Sequence, residues 1–144
     1  MAALRAMGAA VRPGGVVAVE DLFTGTVRSD PPAPALDRLR EVYSATVRFH
    51  GGDPTIGPRL PALLATAGLA DVREQLVANP MTTVDEKLFL VELVDNMRQA
   101  MLEANAASAA DLDQLRAAVA AAARDPATVF HQARLHQVHG HRPA

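Results

Sequence analysis

Cysteine is absent from the 144 residues, which excludes disulfides, thiolate metal sites and cysteine nucleophiles. Tryptophan is absent too, tyrosine occurs once, at Tyr43, and aromatic residues make up 3% of the chain. So few rings argue against the stacking platforms that hold single-stranded nucleic acids. Lysine occurs once, at Lys87, among 14 basic residues, an arginine bias that reads as codon usage and not as function. A net charge of −2 leaves no electrostatic footprint for a phosphate backbone. No run of about 18 apolar residues occurs, so no segment is read as spanning a membrane. Arg5 and Arg12 interrupt the stretch where the apolar core of a signal peptide would lie. The cytoplasm is the expected location, with neither nucleic acid nor membrane as a partner.

What is present suits a globular domain. Hydrophobic residues make up 49% and charged residues 21%, too apolar for a disordered chain. The length is that of one domain, and a domain of this size buries roughly 68–70% of the surface its unfolded chain exposes. Residues 1–144 are therefore read as a single domain.

Punctuation by proline, glycine and capping residues divides the chain. Leu4, Met7 and Val11 lie on one helical stripe, with no capping residue before them. This opening reads as the back half of a helix or as a frayed natural terminus. The turn Arg12-Pro13-Gly14-Gly15 leads to Val16–Val19, a wholly apolar run that predicts a strand buried on both faces inside a parallel sheet. Glu20 and Asp21 are expected to end it. Residues 24–34 read as a stiff, proline-rich loop. A helix is predicted from about Pro34 to His50, with Leu36, Leu39, Tyr43 and Val47 inward and Gly51-Gly52 ending it. A shorter helix is predicted over 56–67, with Gly68 just past its end, and then a strand over Val72–Val77. Thr83-x-x-Glu86 and Ser108-x-x-Asp111 are capping boxes that open two long helices, reaching about Asn105 and Arg124. Thr128–Val138 is predicted as one last strand. Helices alternating with strands imply α/β layering, although three strands are few for an open sheet.

Three of these segments carry a family resemblance. The run LRAMGAAVRPGGVVAVED resembles the part of class I S-adenosylmethionine-dependent methyltransferases in which a helix passes through an (R/K)PGG turn into the fifth strand. IGPRLPALLATAGLADVREQL is similar to the following helix and sixth strand, and TVFHQARLHQVHGHR to the antiparallel seventh strand. The resemblance implies a partial Rossmann-like sheet of strands five, six and seven with covering helices. It also implies a helical insertion at 83–124 before the last strand. No GxGxG loop occurs, so the part that binds S-adenosylmethionine in that family is not represented. The implied activity is methyl transfer to a small-molecule acceptor. This chain, taken as truncated, is expected not to bind the cofactor alone. Strand five, at Val16–Val19, would then keep a bare edge without lysine, proline or inward charge to blunt it. A second copy of the chain or a complementary N-terminal half are the expected partners. The alternative is a non-catalytic interaction or dimerisation module.

Candidate site residues follow from position. Glu20 and Asp21, at the end of a strand where α/β sheets bind ligands, are predicted to line the substrate, together with Tyr43 on the next helix. Phe49 and His50 accompany Tyr43, although packing and the helix dipole also account for that group. Met97 and Met101 fit a hydrophobic pocket or, more simply, a core. His131, His136, His139 and His141 crowd the C-terminus without a closed ligand set, and no metal site or catalytic residue is assigned.

Overall fold

A computed structural model describes residues 1–144. In chain order the elements are α1 (Ala2–Ala10), β1 (Val16–Phe23), β2 (Arg28–Asp30), α2 (Pro34–Phe49), α3 (Leu60–Thr66), β3 (Ala70–Val77), β4 (Pro80–Met81), α4 (Val84–Glu103), α5 (Ala109–Arg124), β5 (Val129–His131) and β6 (Arg134–His141). Short 3-10 turns occupy Thr24–Thr26 and Gly57–Arg59. The chain forms two compact units. One takes Met1–Phe23, Thr55–Val77 and Arg134–Ala144, and the other takes Thr24–Pro54 and Ala78–Ala133.

In the first unit, the proline–glycine turn converts a helix into a strand. Gly14 has a φ of 74°, the left-handed region that glycine enters without a Cβ clash. Gly15 donates its N–H to the Arg12 carbonyl at 2.8 Å. The strand that follows, β1, pairs antiparallel with β6, from Val16↔His141 to Phe23↔Arg134. β3 pairs antiparallel with the other side of β6, so the sheet order is β1-β6-β3. One face of this sheet meets α3. Val17, Leu60, Leu64, Leu69 and Val138 form its core, with Leu4, Val11, Val19 and Val72 half-buried around them. Gly68, with φ at 95°, ends α3 in the expected place. Arg142 donates to the carbonyls of Val11 (2.6 Å) and Ala9 (3.0 Å), satisfying acceptors left open at the end of α1.

The second unit is mostly helical. Both capping boxes form, with Thr83 and Ser108 accepting from the N–H groups of Glu86 and Asp111 while those side chains reach back. α4 and α5 lie antiparallel: Asp95 accepts from Arg116 at 2.7 Å, and Arg98 sits 2.9 Å from Asp113. Their shared core holds Leu90, Val94, Met101, Leu112, Val119 and Ala123, together with Leu36, Leu39 and Val42 of α2. Of the alanine run of α5, Ala120 and Ala123 are buried there, while Ala117, Ala118 and Ala121 are exposed. A three-stranded sheet in the order β2-β5-β4 closes this unit, with Phe130 wholly buried.

Several expectations are corrected. The partial Rossmann-like sheet is not formed: both sheets are small and antiparallel, and no two strands pair in parallel. The reason is visible in β1. Its apolar run is buried on one face only, with Val17 3% exposed and Val16 49% exposed, as an antiparallel strand with one helical layer requires. Glu20 and Asp21 do not end β1, because pairing with Gln137 and His136 carries it on to Phe23. The single strand predicted over Thr128–Val138 is two strands in two sheets, β5 serving one core through Phe130 and β6 the other through Val138. The proline-rich loop contains β2, and neither it nor the two-residue β4 has a signature of its own. On α2 the inward stripe is Leu36, Leu39, Val42 and Thr46, with Tyr43 and Val47 on its flank. Thr46 is accommodated because its hydroxyl donates to the Val42 carbonyl at 2.8 Å.

Candidate functional site

Chemistry-bearing side chains concentrate on the β1-β6-β3 sheet, and strand alternation sorts them onto two faces. Glu20 and Asp21 are neighbours in sequence, so they point to opposite sides. Glu20 stands opposite Gln137 and accepts from its amide at 3.0 Å. This pair, with Ala18, Arg73, Gln75 and His139, lines an open concavity of about 530 Å³. His141 follows His139 along the same face, the two rings meeting edge to face with centroids 6.3 Å apart.

Asp21 lies on the other face, directly across from His136. Its Oδ1 accepts from the Leu22 N–H at 2.8 Å. His136 is 4% exposed, and its Nδ1 lies 2.8 Å from Glu74 Oε1 on β3. A carboxylate in that position selects the tautomer with the proton on Nδ1. The other ring nitrogen, Nε2, is buried and has no hydrogen-bond partner. Phe23 approaches the imidazole edge-on, with ring centroids 6.5 Å apart. Gly57 lies against the ring so closely that a Cβ there would come within 2.6 Å of Cδ2.

The remaining candidates lie in the helical unit. Tyr43 is half-buried on α2, so Glu20, Asp21 and Tyr43 are divided between the two units. Phe49 and His50, at the end of α2, are exposed and contact each other edge-on, with ring centroids 5.1 Å apart. Met101 is buried in the helical core and Met97 packs at its border, which makes them core residues. His131 sits on β5, half-buried, opposite Arg28 and Pro80.

His136 stood in the sequence only as one of four C-terminal histidines, and what sets it apart is its Glu74 partner, which pairing across 62 residues brings to it. Sequence reading missed Lys87, fully buried, whose ammonium donates to the carbonyls of Asp125 (2.7 Å) and Thr128 (2.8 Å). A lone lysine in an arginine-rich chain was the available signal. No protein-family model matches the chain, and no curated protein matches it. No helix is long and apolar enough to cross a membrane.

Proposed function

We propose that this chain contributes the acceptor side of an enzyme that transfers a methyl group from S-adenosylmethionine to a small molecule. In this reading the cofactor is bound only when further polypeptide joins the free edge of β1. The observation that carries it is the setting of β1. The segment that follows the Arg12-Pro13-Gly14-Gly15 turn is hydrogen-bonded on one side alone, to the antiparallel closing strand β6. Exposed strand edges are templates for another chain, and the Val16–Val19 part of this one carries no charge or proline to blunt it, while Glu20 and Asp21 follow further along the strand. Methyl transfer is an in-line displacement that depends on positioning and on excluding water, so an enzyme of this kind can divide its binding surfaces between polypeptides. The same reading puts the chain in the cytoplasm.

Native capture of the tagged chain from its own source, followed by photo-crosslinking with radiolabelled S-adenosylmethionine, tests this reading. Label is expected in a complex that contains an associated polypeptide, while calorimetry on the purified chain shows no cofactor binding. A captured complex free of label overturns the reading. Micromolar cofactor binding by the chain alone removes the need for a partner.

The second reading is a non-catalytic pairing module, favoured by the same open edge at Val16–Val19 and the exposed Val16 on it. Under it, two copies pair through β1, and sedimentation shows a dimer with no cofactor-binding component.

A further inference from the structure

The C-terminal histidines separate in the fold, and only two of them meet. His131 lies on β5, and His136 is buried on the packed face of β6. His139 and His141 are two residues apart on β6, so they stand together on its other face, the one that carries Gln137 and, across the pair, Glu20. β6 is the central strand, hydrogen-bonded to β1 on one side and β3 on the other. Its extended backbone holds the two Cα atoms about 6.8 Å apart. The rings meet edge to face, with centroids 6.3 Å apart, and no hydrogen bond holds either imidazole. The stems are fixed while the rings are free to turn. His139 is exposed and His141 half-buried. Ala18 and Arg73 stand cross-strand from His139, and Val16 and Ala70 from His141, so three of the four neighbours are short. Arg73 and Glu20 carry opposite charges, and nothing there attracts a hard cation by charge alone.

We propose that His139 and His141 form a two-imidazole site for a divalent transition metal ion, copper(II). Two nitrogen donors on one strand face chelate a single ion, and a paired central strand presents them more rigidly than a loop would. The donor type selects the class of metal: imidazole suits copper, zinc and nickel, whereas calcium and magnesium take oxygen. The number of donors then selects within the class. Zinc sites in proteins take three or four protein ligands, and no third histidine or carboxylate completes such a set here. Tetragonal copper(II) accepts two nitrogens with water in its other positions, and it stands highest in the affinity order of these divalent ions. His139 also lines the concavity that holds Glu20 and Gln75, so the exchangeable positions of the ion lie at its rim. The site does not depend on the methyl-transfer reading.

The test is titration of the intact chain, without a histidine tag, with copper(II) chloride, followed by electron paramagnetic resonance. The first ion is expected to give an axial signal split by two nitrogens. H139Q and H141Q should each weaken its binding by roughly tenfold or more, since losing even an outer partner of a metal ligand costs that much. H50Q and H131Q should leave it unchanged. In the wild-type chain, copper(II) should broaden the amide resonances around His139 and His141 before any others, which decides the matter if a variant fails to fold. Zinc(II) should displace the copper only in excess. A first copper ion that is indifferent to H139Q, broadening that begins elsewhere, or zinc bound as tightly as copper overturns the site.

Discussion

Lys87 shows how a single residue holds a fold together without appearing in any motif. Its ammonium links two carbonyls beyond the end of α5 and lies 5.8 Å from the centroid of the Phe130 ring. Replacing it by methionine keeps the stem but leaves those acceptors without their donor. K87M is expected to cost about 1–3 kcal/mol, read from urea denaturation followed by circular dichroism. A loss below about 0.5 kcal/mol, the range of an ordinary surface change, would show that the carbonyls are satisfied in another way. Gly57 makes a complementary case. An alanine there would place its Cβ 2.6 Å from His136 Cδ2 and 3.1 Å from the Leu22 carbonyl oxygen. G57A is therefore expected to destabilise the first unit by about 1–3 kcal/mol, as overpacking does. Amide exchange in β6 reports it, and unchanged protection there would mean that the loop yields freely.

Helix starts are the elements most plainly written in this chain. Each capping box satisfies N–H groups that a helix N-terminus otherwise leaves open. T83A and S108A should each cost about 1 kcal/mol, measurable by thermal melting of the two variants. The same bonds set an acid limit. Backbone N–H groups of Thr83 and Thr82 hold the Glu86 carboxyl below its usual range, and bonds from Ser108, chiefly its hydroxyl, do so for Asp111. A carboxylate with a lowered folded pKa stabilises the protein above its unfolded pKa, and that contribution disappears as pH falls through the folded value. Stability should therefore fall on acidification from the pH at which unfolded carboxylates begin to titrate. E86Q and D111N should flatten that limb in pH-dependent melts. An unchanged slope in the double variant would assign the acid response to other groups. Strands were harder to read than helices. The caps and Gly68 mark their ends through local chemistry, whereas β2 and β4 are two or three residues long and exist only because β5 lies between them.

Across the molecule, the exposed line of hydrogen-bonding groups along β1 is the feature with most consequence. Backbone groups on an unpaired edge are free to bond to another chain, and Val16 adds apolar surface next to them. The purified chain is expected to associate as concentration rises, with V16K reducing association because a charged side chain at an edge opposes pairing. Sedimentation velocity across a wide concentration range checks this. A wild-type chain that stays monomeric throughout would mean that the edge is not an association surface under those conditions.

The chain's own composition and local pattern determined the helices, their caps, the glycine turns and the acidic pair on the first strand. These depend on bonds and steric preferences within a few residues. Only the tertiary structure decided that Val16–Val19 is covered on one side, that residues 128–141 serve two sheets, and that Glu20 and Asp21 face apart. It alone brought Glu74 to His136. Each of those outcomes depends on which strand lies next to which, and antiparallel pairing across distant parts of the chain leaves no periodic mark in either partner.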